Sequence, residues 1–158
     1  MSTLLVDELY NGVTIDQRIK ISRDVSVAHI RPWVYKHGTL LDGDFRISIL
    51  QGATTLLTKE INFSTINAEF TDSYAHGSLK FDFDSLILFV EEGSIETEYV
   101  FRFEMINHTT DTDNFLGLCR RWEAKTYDTY GDGVIDNEAP NDFIEPYGLE
   151  IYEYKLGR

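Results

Sequence analysis

The sequence predicts an all-β chain, folded as a two-sheet antiparallel sandwich of jelly-roll type. Three observations lead there. Apolar residues alternate with polar ones at period two along most of the chain, the mark of strands with one face buried and one wet. Glycines fall at the breaks between the alternating runs. No segment carries the period of a long amphipathic helix. Eight or nine short strands separated by turns every 8–12 residues is the pattern of a sandwich or barrel.

Taken in order, the chain opens with Leu4, Leu5, Val6, Leu9 and Tyr10 in residues 1–10, an apolar arm with no obvious partner in sequence. The arm is expected either to close an edge of its own sheet or to add a strand to a neighbouring subunit. Strands are expected at 13–22, 25–36, 44–50, 54–61, 78–84, 86–90, 97–106, 114–122 and 148–155. In the first of them Val13, Ile15, Ile19 and Ile21 share a face, with Gln17 as the exception. Phe45, Ile47 and Ile49 alternate with Asp44, Arg46 and Ser48; Tyr99, Phe101, Phe103 and Met105 alternate with Glu98, Val100, Arg102 and Glu104. Gln51-Gly52 reads as a tight hairpin, and Asp42-Gly43, His76-Gly77 and Glu92-Gly93 as further turns. Residues 64–67 can nucleate a turn of helix. Residues 125–147 form a long acidic connection, of a length expected of loops that are either functional or mobile. Without internal repeats or low-complexity tracts, residues 1–158 read as one domain.

Composition limits the partners. The 158 residues hold 14 Lys and Arg against 27 Asp and Glu, a formal net charge of -13. That charge repels phosphate backbones and anionic lipid surfaces, so neither nucleic acid nor membrane is an expected partner. An apolar share of 42% supports a core without staples, since a chain this long buries roughly 70% of its unfolded surface. The single cysteine, Cys119, has no partner for an intrachain disulfide. The N-terminus has acids where a signal peptide has a basic start, so synthesis in a cytoplasm without export is expected.

Three groups of residues could carry a site. Asp128, Asp132 and Asp136, with Gly133 and Ile135, take positions one, five, nine, six and eight of a calcium loop. Tyr130 at position three and Ala139 at position twelve depart from it, and an acidic surface turn is the plainer reading. Otherwise no cofactor is expected. Trp33, Trp122, Tyr152 and Tyr154 are candidates for a glycan platform, because a ring face matches the apolar face of a pyranose; cross-strand packing is their ordinary role. Leu4, Leu5, Val6, Leu9 and Tyr10 are the candidates for a partner contact. His29, His37, His76 and His108 stand at no metal-ligand spacing. No nucleophile elbow, phosphate loop or dinucleotide fingerprint occurs, and the carboxylates are too numerous for any pair to be singled out, so no enzyme is expected.

Residues 43–49, the hairpin after them, and residues 74–83 (Tyr-Ala-His-Gly-Ser-Leu-Lys-Phe-Asp-Phe) together resemble jelly-roll modules of tailed-bacteriophage virions, such as capsid decoration and tail proteins. The likeness covers about half of the chain and rests on strand patterning, so no functional residue carries over. It implies a virion structural or assembly protein that contacts other virion proteins or copies of itself. Sugar-binding jelly rolls share the look, which makes a carbohydrate-binding module for host attachment the alternative.

Overall fold

The computed structural model describes residues 4–9, 14–107, 113–121 and 149–153. The strands are β1 (Leu4–Leu9), β2 (Thr14–Ile21), β3 (Val25–His37), β4 (Asp44–Gln51) and β5 (Thr54–Asn62). After helix α1 (Phe63–Glu69) come β6 (Tyr74–Ser78), β7 (Phe81–Leu88), β8 (Thr97–Ile106), β9 (Phe115–Arg121) and β10 (Leu149–Glu153). Period-two patterning decides which side of each strand turns inward. Along β2, Ile15, Gln17, Ile19 and Ile21 are buried, and along β8 Tyr99, Phe101, Phe103 and Met105 are. The turn of helix expected at 64–67 lengthens to seven residues. Asn62 caps it by accepting from the Ser64 amide at 3.0 Å, and Phe63 and Ile66 face the core.

The strands form two antiparallel sheets. One runs β2-β8-β4-β5. In the other β1 pairs β9 and β9 pairs β3, while β6, β7 and β10 also pair β3. The chain therefore crosses from sheet to sheet: β1, β3, β6, β7, β9 and β10 lie in one, β2, β4, β5 and β8 in the other. First and last partners meet as β1 beside β9 and β2 beside β8, which is the winding of a jelly roll. Between the sheets Phe45 of β4 meets Phe81 of β7 at 5.5 Å edge-on and stacks on Phe103 of β8 at 5.8 Å. Each such pair contributes about 0.5–1.5 kcal/mol beyond the area it buries. Among the described residues no helix is long and apolar enough to cross a membrane.

Three expectations are changed. The N-terminal arm has a partner within the chain: Leu4–Leu9 pairs in antiparallel register with β9, from Leu4 opposite Arg121 to Leu9 opposite Leu116. Leu9 is fully buried in the core, so of the two options the arm takes its own sheet; Tyr10 lies outside the described residues. Next, the runs 78–84 and 86–90 join into the single strand β7, which follows β3 through a register shift between Val27 and His29. Finally, His76-Gly77 is no turn. Gly77 sits inside β6 opposite Val34, and a Cβ there would come within 2.9 Å of the Phe70 ring. That close approach, not a positive φ, is what requires glycine. The Gln51-Gly52 hairpin stands as expected, with β4 and β5 joined through Gly52 at φ 59°.

Candidate binding face

The outer faces of the two sheets differ in kind. On the four-stranded sheet charges answer one another across neighbouring strands. Arg102 donates from Nε and Nη2 to the two oxygens of Asp16, at 2.8 and 2.9 Å. Arg46 reaches Glu60 at 3.1 Å on one side and Glu104 at 3.4 Å on the other. The hydrogen bond to Asp16 holds the Arg102 guanidinium above its ordinary value. Half-exposed pairs of this sort add little stability. They do tie neighbouring strands together through charge on this face.

The outer face of the six-stranded sheet is aromatic. Along the second half of β3, Pro32, Val34 and Lys36 turn inward and are buried, so Arg31, Trp33, Tyr35 and His37 turn outward and are half-buried. The Lys36 ammonium ends on the carbonyl of Phe70, just past α1. Two strands bring their own rings to this row. In β6, Tyr74 lies opposite His37 and His76 opposite Tyr35. In β9, Phe115 lies opposite His37, and Gly117 opposite Tyr35.

The imidazole of His37 is the centre of the group. It stacks on Phe115 with centroids 4.6 Å apart and planes 10° from parallel. Tyr74 meets it edge-on at 4.8 Å, and the Tyr35 hydroxyl lies 3.4 Å from Nδ1. Phe115 is buried beneath the group, whereas Tyr74 is 63% exposed. The cluster thus offers a wet rim on a fixed floor.

Three connections converge to hold it. Gly38 follows His37 and donates its amide to Ser73, the residue before Tyr74, at 2.6 Å. The Thr39 amide donates to Oδ1 of Asn114, the residue before Phe115, at 3.2 Å. Farther along β3, His29 sits near Lys80, Arg31 and Asp82. Burial first, then the cations Lys80 and Arg31, hold its pKa below the usual 6.5, against a smaller opposite effect of Asp82.

Of the glycan candidates, Trp33 belongs to this face. Tyr152 is in β10 and registers opposite His29 of the same strand. Trp122 and Tyr154 lie outside the described residues, as do the calcium candidates Asp128, Asp132 and Asp136 and the 125–147 connection. Among the described residues no three His, Cys, Asp or Glu side chains gather as a metal set. Burial pushes the Cys119 thiol up to about 11, so it is no thiolate near neutral pH. His37, Tyr74 and Phe115 were not singled out from sequence. His37 shares the odd-numbered face of Trp33 and Tyr35, a signal that was present; Tyr74 and Phe115 join only through pairing across the sheet. Comparison with models of protein families, with curated proteins and with solved structures finds no match to this chain.

Proposed function

We propose that this chain is a non-enzymatic structural part of a bacteriophage particle, a decoration or tail component that assembles with copies of itself through the aromatic face. The observation that carries the reading is the inequality of the two outer faces. One carries the cross-strand pairs of Arg102 with Asp16 and of Arg46 with Glu60 and Glu104, while the other presents Trp33, Tyr35, His37 and the exposed Tyr74. Aromatic side chains are the residues that protein contacts favour. The local charge fits self-association as well. Arg31 and Lys80 stand near His29 on the same sheet, with Asp82, so the sheet brings cations as well as carboxylates to a contact, against the repulsion that a net charge of -13 otherwise imposes. Jelly rolls serve both capsid and lectin domains, so the fold is compatible with the role without implying it.

A glycan surface is the second reading. Tyr74 favours it, being an exposed ring braced edge-on against an imidazole. Sedimentation equilibrium of the wild type and of a Tyr74→Ser, His76→Glu double variant separates the two. Both sites are exposed, so the variant is expected to fold. Assembly predicts a symmetric multimer that the variant reduces to monomer. A monomeric wild type that binds on a glycan array, with a shift in tryptophan fluorescence, would replace assembly by sugar binding. A monomer silent on the array would remove both.

A further inference from the structure

A second feature lies away from the aromatic face, where the sandwich is open between β5 and β7. Among the described residues these strands end their sheets on this side: β5 pairs only β4, and β7 only β3. Between them is a hollow of about 460 Å³, within the size range of binding pockets. Leu56, Ile87 and Phe89 line it and are 43%, 44% and 55% exposed. Tyr99 lies beneath, and Gln51 and Glu91 stand at its rim.

The hollow is rigidly built. The Tyr99 hydroxyl accepts from the Phe89 amide at 3.0 Å and donates to the Phe89 carbonyl at 2.7 Å. The Val90 amide donates to Asp24 and the Glu91 amide to Thr97, both at 2.8 Å. Gln51 Nε2 donates to Glu91 Oε1 at 2.7 Å, tying the end of β4 to the stretch after β7. Every amide from Phe89 to Glu91 is thus taken by a side chain, and the segment has none left for strand addition. Recognition here works through side chains. A preformed apolar surface binds without the cost of ordering itself.

We propose that this hollow is a docking site for a segment of a partner protein that presents a large apolar side chain beside a lysine or arginine. Charge selects that occupant. The lining contains no Lys or Arg, and exposed Glu91, Glu92 and Glu96 follow Phe89 in the same connection. The Tyr99 hydroxyl is raised above its ordinary value by burial, and further by the carboxylates of Glu91 and Asp24, against its bond to Phe89; their negative field therefore reaches the floor. The exposed face of the Phe89 ring is a further seat for a cation. A second copy would bring the same carboxylates and a net charge of -13 to the contact.

The probe is a blocked tetrapeptide, Lys-Phe-Leu-Lys, with Glu-Phe-Leu-Glu as its counterpart, titrated into the full chain and followed by amide NMR. The lysine peptide is expected to shift the amides of Leu56, Ile87, Phe89 and Glu91, to weaken with added salt, and to bind about tenfold more tightly than the glutamate peptide. Phe89→Ser and Glu91→Gln are each expected to cost about tenfold in affinity. Both positions are exposed, and glutamine keeps the acceptor for Gln51, so neither change threatens the fold. Equal affinity for the two peptides, shifts that map elsewhere, or wild-type affinity in both variants would overturn the proposal. So would a dimer that Phe89→Ser abolishes without peptide binding, because a second copy would then be the occupant.

Discussion

Replacing Gly38 by alanine tests how the aromatic cluster is held. Gly38 has φ +76°, and a Cβ built on it falls 2.1 Å from the Asp113 carbonyl oxygen and 2.6 Å from Asn114 Oδ1. Two costs follow. A side chain in the left-handed region costs roughly 1–2 kcal/mol. The overlap with backbone must also be relieved by moving the start of β9 or the end of β3, which breaks the Gly38–Ser73 and Thr39–Asn114 hydrogen bonds. Each of these contributes about 0.5–1.5 kcal/mol, giving a total loss of about 2–5 kcal/mol. Gly52→Ala is the control. Its φ is +59° with nothing within 4 Å of the added carbon, so it pays only the dihedral cost, roughly 1–2 kcal/mol. Urea unfolding of both variants gives the two losses. The His37 ring protons report the cluster directly, because stacking on Phe115 at 4.6 Å shifts them upfield, and Gly38→Ala should move them toward their unfolded positions. Equal losses at the two glycines, or unchanged His37 shifts, would refute the idea that convergence at Gly38 positions the rings.

Two further predictions concern the arm and the titration of the sheet. Leu9→Ala is expected to lower stability by about 2–5 kcal/mol, as for a fully buried leucine; a loss under about 0.5 kcal/mol in urea unfolding would put β1 outside the cooperative fold. His29 should titrate below 6.5 by NMR, since burial, Lys80 and Arg31 disfavour its charged form. With the folded pKa below the unfolded one, its contribution is complete above 6.5 and is lost as pH falls through the folded value. Lys80→Ala should move the midpoint upward, and a wild-type midpoint at or above 6.5 would contradict the reading.

Much of the fold was legible because its information is local. The alternation at Ile15, Ile19 and Ile21, at Phe45, Ile47 and Ile49, and at Tyr99 to Met105 names the buried face of each strand before any partner is known. The hairpin at Gly52 is local too. The pairing of β1 with β9 is not: nothing near Leu4 states that Arg121 will lie opposite, so the arm read as unpartnered. β6 was missed for another reason. Only alternate residues of Tyr74–Ser78 are even half-buried at its start, and its glycine answers to a ring from Phe70 that sequence spacing does not bring near.

The binding features divide along the same line. Trp33, Tyr35 and His37 occupy alternate positions of one strand, so their common face follows from sequence; the stacking of Phe115 and the edge of Tyr74 require two non-local pairings. The hollow between β5 and β7 announced itself in a different way. Leu86, Ile87, Leu88, Phe89 and Val90 are apolar without a break, in a chain where burial alternates strictly along β2 and β8. A half-buried strand has room in the core for only every second side chain. Leu86 and Leu88 take those places, which leaves Ile87 and Phe89 on the other side, 44% and 55% exposed. An unbroken apolar run in a strand at the edge of the sandwich therefore places apolar side chains on both of its sides, and the side-chain bonds to the amides of 89–91 hold the outward pair beside the hollow.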